Sequence, residues 1–198
     1  MLRRPLLMLA TVISLTLAAA PARAANPQVD LDTTAGKIRI ELAPDAAPQS
    51  VENFLAYVKA KHYDGTQFHR VIAGFMIQGG GYGADFSSKP TRAPIKNEAE
   101  QSSKAGLLNV PGTIAMARTS EPNSATAQFF INVGDNKSLN FRDPSPGGIG
   151  YTVFGKVISG MDVVNKIAKT PSGAGGPFPT DVPVERVLIK SATVVGAP

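Results

Sequence analysis

Apolar and polar residues alternate twice near the start of the chain, along Val29-Asp30-Leu31-Asp32-Thr33 and Lys37-Ile38-Arg39-Ile40-Glu41-Leu42. Alternate residues of a strand share a face, so each segment predicts a strand with one buried and one wet side. The Ala35-Gly36 turn between them makes the pair a hairpin. The period then changes. Val51, Phe54, Leu55 and Val58 recur at i, i+3, i+4 and i+7, the spacing of one helical face. Asp45 is the expected cap of that helix, and Pro48 suits its first turn.

Short apolar runs come next at Phe68–Ile72, Met76–Gln78, Thr113–Met116, Phe129–Val133, Tyr151–Ile158 and Val184–Lys190, each an expected strand. A second helix is expected over Met161–Ala168. Connections rich in Gly, Pro and Ser occupy 79–110, 134–150 and 170–183. About eight strands and two helices, in an order that is not βαβ, predict a mainly β fold. Its antiparallel sheet would close into a barrel or sandwich, with the helices over the open ends.

The first residues belong to a different kind of segment. Arg3 and Arg4 precede an apolar run, Leu6–Ala20, and Ala22-Arg23-Ala24 has the A-x-A form of a cleavage site. The run is too short for the roughly twenty residues that cross a bilayer. The expectation is a cleaved signal peptide over 1–24, a linker over 25–28 and one domain over 29–195, exported to the periplasm. Losing residues 1–24 removes three Arg and no acid, so the formal charge falls from +5 to +2. A nucleic-acid partner loses its main support with that change. The chain has no Cys, which excludes thiolate catalysis and Cys-based zinc sites and fits a periplasmic protein.

Candidate chemistry is sparse. His62 and His69 are the two histidines, and neither has metal-ligand spacing. His69 reads as a structural hydrogen-bonding residue. Gly79-Gly80-Gly81 is not followed by the Lys-Ser/Thr pair of a phosphate loop, so it reads as a permissive glycine turn ending the run. No G-x-S-x-G elbow and no evident carboxylate pair occurs. Neither a metal nor a cofactor is expected.

What stands out is "FHRVIAGFMIQGGG", 68–81, where Arg70 and Gln78 interrupt otherwise apolar residues. Across the Ala73-Gly74 bend, Arg70 is expected beside Gln78, with Phe75 and Met76 as an apolar wall. In "QFFINV", 128–133, Gln128 and Phe130 share one face and Phe129 and Ile131 the other. Either one face lines a surface groove, or both strands are core with incidental polar ends.

A family resemblance bears on that choice. "YDGTQFHRVIAGFMIQGG" (63–80), "AQFFINV" (127–133) and "VFGKVISGMDVVNKI" (153–167) closely resemble the cyclophilin family of peptidyl-prolyl cis-trans isomerases. The resemblance runs from about Val29 to Val195. It implies an eight-stranded antiparallel β-barrel capped by two α-helices, with the active groove on its outer surface. It also implies that Arg70 is the catalytic Arg, steadied by Gln78, and that Phe75, Met76, Phe130 and Leu139 form the proline pocket. Gln128 matches a second groove amide. Ala117-Arg118-Thr119 matches the segment that pairs with substrate backbone, where many members have Ala-Asn-Ala. Ser138 falls where eukaryotic members carry a pocket-edge Trp, and Tyr151 where they carry a groove His. The implied partners are proline-containing segments of exported proteins, met by a monomer that needs no cofactor and, once the signal is removed, no membrane. The alternative is a proline-peptide binding module or holdase with incidental turnover. Arg70 beside Phe75, Met76 and Gln78 favours the enzyme, because binding alone needs only the apolar pocket.

Overall fold

A computed structural model describes residues 25–196; the expected signal peptide lies outside them. Strands β1 (Gln28–Thr33) and β2 (Gly36–Leu42) form the expected hairpin, pairing Val29 with Ile40 and Leu31 with Ile38. Those four side chains are fully buried. On the opposite face Arg39 donates to both carboxylate oxygens of Asp30, at 2.6 and 2.9 Å. That fork holds the Asp30 carboxyl below its ordinary range.

Helix α1 (Pro48–Lys59) leads into β3 (Thr66–Ile72), β4 (Met76–Gly83), α2 (Ala99–Lys104), β5 (Thr113–Met116) and β6 (Phe129–Asn132). The chain continues through β7 (Val153–Ser159), α3 (Met161–Ala168), a small hairpin of β8 (Ser172–Gly175) and β9 (Phe178–Pro183), and finally β10 (Ile189–Val195). Eight strands make one antiparallel sheet in the order β10-β1-β2-β7-β5-β6-β4-β3. Its two edges meet: Gln67 bridges Leu188, and the Phe68 N–H donates to the Val187 carbonyl at 3.0 Å. The sheet therefore curls into the predicted barrel.

The core fills that barrel and extends under α1. Phe54 of the helix touches Tyr63, Phe129 and Phe154, with ring centroids 5.1 to 5.6 Å apart. Val51 and Val58 are buried on the same helical face, as their spacing predicts. Helix α3 has the predicted bounds and buries Val164, Ile167 and Ala168.

Four local expectations need correction. Asp45 does not occupy the cap position of α1, which falls on Ala47 without a side-chain cap bond. Pro48 has no N–H, and the next two N–H groups, of Gln49 and Ser50, go to the buried carboxylate of Glu98 at 3.0 and 2.8 Å. The Ser50 hydroxyl adds a third bond at 2.7 Å. A carboxylate at a helix N-terminus satisfies orphan donors and complements the positive end of the helix dipole. The last strand begins at Ile189 rather than Val184, which is 77% exposed. Val187 and Leu188 stitch the barrel seam, Leu188 also exchanging bonds with Thr34, and the continuous ladder with β1 starts at Ile189. The span 79–110 holds the rest of β4 and all of α2, and 170–183 holds the β8–β9 hairpin. Gly79, Gly80 and Gly81 lie inside β4 rather than in a turn.

Candidate active site

Strand parity alone would put Phe68 and Arg70 on one face of β3. The register forbids it: Phe68 pairs with Gly79 and Arg70 with Gln78, so three residues of β3 oppose two of β4. The extra residue makes a β-bulge at His69, which bends the strand and re-aims the side chains beyond it. Phe68 and Val71 point into the core, while the Arg70 side chain is 45% exposed. Arg70 thus stands directly opposite Gln78, as expected across the bend.

Strand β6 supplies the wall. Phe129 and Ile131 belong to the barrel core, and Phe130 faces outward into a second apolar cluster with Met76, Ala115 and Val153. Phe75, Ala117, Leu139 and Tyr151, each half-buried, pack around that cluster. Of the two readings of "QFFINV", the groove is correct. The outward side chains enclose a cavity of about 170 Å³ lined by Arg70, Phe75, Met76, Gln78, Ala117, Arg118, Phe130, Leu139 and Tyr151.

Gln128 supports this cavity without lining it, accepting a bond from the Gln78 amide at 2.9 Å. Gly81 makes that possible: a Cβ there would lie 2.7 Å from the Gln128 side chain. Gly80 has φ +87°, and a Cβ there would crowd the Tyr63 and Phe129 rings and the Ala127 carbonyl. The glycine run therefore provides clearance within a strand. Thr119 sits off the cavity, its N–H and hydroxyl bonded to the Ser124 hydroxyl at 2.9 and 2.8 Å. Arg118 closes one side of the groove. Its guanidinium lies over the Tyr151 ring at 4.4 Å, donating from Nε to the Gly150 carbonyl at 3.0 Å and from Nη1 to the Thr119 carbonyl at 2.9 Å. Ser138 is exposed in a 3-10 turn, Lys137–Leu139, beside the pocket residue Leu139.

The expected Arg70–Gln78 bond is absent among the described residues. Gln78 spends its amide on Gln128, and Arg70 pairs through Nε with Asp181 of β9, 3.5 Å away. His69 meets expectation only in part: a backbone hydrogen bond at Gln67 favours its charged form, but its Nδ1 is buried without a well-formed partner. The ring instead packs against Tyr82 and Phe178, at 4.7 and 5.5 Å, and burial pushes its pKa down to about 4. It is an aromatic filler beneath the hairpin.

One set of positioning residues had no signal as a motif. The Asn136 amide donates to the Phe75 carbonyl at 2.8 Å and to Asn132 at 2.6 Å. Asn132 donates on to Asn109 and Thr113, and Asn109 to the Leu139 carbonyl at 3.1 Å. This buried amide chain ties together the two segments that carry Phe75 and Leu139, both of which line the cavity. Three buried Asn in one satisfied network fix a geometry that apolar packing alone leaves loose.

Comparison with known proteins agrees with this architecture. Residues 28–194 match the family described as cyclophilin type peptidyl-prolyl cis-trans isomerase/CLD. The peptidyl-prolyl cis-trans isomerase cyp18 of Streptomyces antibioticus is 55% identical over 170 residues, covering 85% of this chain and 98% of its own. Peptidyl-prolyl cis-trans isomerase A of Dickeya dadantii is 48% identical over 197 residues, covering 98% of this chain and 99% of its own. Among solved structures, a Cryptosporidium parvum cyclophilin type peptidyl-prolyl cis-trans isomerase, crystallised in the presence of the dipeptide Ala-Pro, superposes with a TM-score of 0.67 at 27% identity. The match covers 86% of this chain and 99% of that one. With the family matched from β1 almost to the end of β10, this chain belongs to the cyclophilin-type peptidyl-prolyl cis-trans isomerases.

Proposed function

We propose that the groove at Arg70 is where this isomerase turns X-Pro bonds, and that its substrates are flexible proline-containing segments of exported proteins. One observation carries the reading: the half-exposed Arg70 guanidinium shares a cavity with an apolar wall of Phe75, Met76, Phe130 and Leu139, beside the polar groups of Gln78, Arg118 and Tyr151. The Ala-Pro dipeptide present with the Cryptosporidium relative fits a pocket of that chemistry.

The physics requires such a pocket. Rotation about a peptide C–N bond gives up its partial double bond and meets a barrier of roughly 18–20 kcal/mol. The planar amide is more polar than the twisted one, so seating the proline ring on Phe130 and Met76 disfavours the planar ground state. As the bond twists, the proline nitrogen regains its lone pair. The Arg70 guanidinium then donates to that nitrogen or holds the prolyl carbonyl. A preorganised donor is worth about 3–4 kcal/mol. A millionfold acceleration needs about 8 kcal/mol, so desolvation and positioning supply the remainder.

Export rests on the sequence of residues 1–24 and on the Dickeya relative, whose match extends into that segment. The proposed mature protein begins at Ala25 and acts as a monomer. Intact mass of the protein from a periplasmic fraction tests the cleavage, and a mass retaining residues 1–24 contradicts it. A protease-coupled peptide assay tests the site. Turnover that a proline-peptide competitor suppresses, and that Phe130→Ala lowers, supports it. Background turnover despite measurable peptide binding would make the protein a binding module or holdase instead.

A further inference from the structure

The β8–β9 hairpin is not part of the barrel, yet it reaches the groove. Phe178, at the start of β9, lies against the rings of His69, Tyr82 and Phe86, and Val182 is buried near its end. Between these anchors is Asp181, whose Oδ2 is 3.5 Å from the Arg70 Nε. Its backbone has φ +67°, in the left-handed region that, glycine aside, Asp and Asn enter more readily than most residues. A clamped hairpin thus presents one carboxylate to one guanidinium, across 111 residues of sequence.

We propose that Asp181 is a positioning residue for Arg70. By engaging the Nε edge, it restricts a long and otherwise mobile side chain and leaves the two Nη nitrogens for the substrate. Arginine suits this role because its five donors form a rigid planar fork, so fixing one edge fixes the other. The two side chains are 45% and 33% exposed, so the pair adds little to stability and its effect falls on turnover. This proposal rests on the assignment of Arg70 as the catalytic residue.

The experiment is a mutant cycle on the chain without residues 1–24, read by peptide turnover and thermal unfolding. Asp181→Gly removes the carboxylate and eases the left-handed backbone, so the hairpin keeps its fold. It should lower kcat by about tenfold with KM nearly unchanged, within the roughly hundredfold that misplacing a catalytic group can cost. Asp181→Asn tolerates the same backbone and keeps a side-chain oxygen for Nε, so it should recover most of the loss. Added to Arg70→Ala, Asp181→Gly should cause no further loss. Wild-type turnover in Asp181→Gly beside a crippled Arg70→Ala would overturn this proposal alone. An equal loss from Asp181→Gly with and without Arg70 would also overturn it. Full activity in Arg70→Ala would instead remove the site assignment on which the proposal rests.

Discussion

Phe68 and Arg70 are separated by a single residue on β3, yet Phe68 is fully buried and the Arg70 side chain stands half in solvent. The bulge at His69 separates them by restarting the in–out alternation. The inserted residue is itself buried, under Tyr82 and Phe178. One insertion thus puts a cation in the groove and a titratable ring in a dry layer.

That ring makes stability depend on pH. Burial pushes the His69 pKa down to about 4, against an ordinary value of 6.5 in the unfolded chain. Between those values the unfolded chain binds a proton that the folded barrel refuses. The contribution is therefore intact above pH 6.5 and is lost progressively as the pH falls toward 4, by up to about 3 kcal/mol. His69→Phe keeps a ring against Tyr82 and Phe178 but cannot titrate. Its melting temperature should fall less steeply between about pH 7 and 4.5 than that of the wild type. His62 is shifted in the same direction by burial and remains in both proteins, so the difference isolates His69. Parallel melting curves across this range would refute the assignment.

Glu98 should matter for stability and not for catalysis. Its buried carboxylate accepts the Gln49 and Ser50 N–H groups and the Ser50 hydroxyl. Glu98→Ala leaves these donors without partners at the start of α1, and we expect a loss of about 2–4 kcal/mol in urea unfolding. Turnover per folded molecule should be unchanged, because Glu98 lies outside the groove.

His69 and Glu98 also mark how far the sequence is readable. The hairpin, α1 and α3 are legible from local period and β5 from its short apolar run, while parity in 128–133 separates Phe130 from Phe129 and Ile131 without saying which face is outward. Arg70 facing Gln78 is legible from the short bend between two strands. What escapes depends on distant partners. Nothing near Pro48 indicates that Glu98 supplies its helix with a cap, and nothing near Arg70 points to Asp181. The β8–β9 hairpin lacks a period-two apolar pattern in Ser172-Gly173-Ala174-Gly175, so it reads as a loop. Gly79–Gly81 reads as a turn because clearance for Gln128 and Tyr63 is a property of the folded neighbours.

Gly81 gives a direct test of that clearance. A methyl group there displaces Gln128 and breaks its bond to Gln78. Gly81→Ala should lower kcat/KM several-fold while shifting the unfolding midpoint little. Combined with Gln128→Ala it should add almost nothing, since both changes remove the same support. Additive losses would show that Gly81 acts elsewhere in β4.

The central claim is that Arg70 acts on the twisting bond, and Arg70→Ala tests it most directly. Denaturation curves and peptide turnover should be measured on the same purified variant. We expect kcat and kcat/KM to fall together by about 10²–10³, as for loss of a transition-state donor. The unfolding midpoint should barely move, because the ion pair lost is the half-exposed one with Asp181. Arg70→Lys should recover part of the activity, keeping the charge without the planar fork. Full turnover per folded molecule in Arg70→Ala would contradict the account, as would a loss of activity that merely tracks the unfolded fraction.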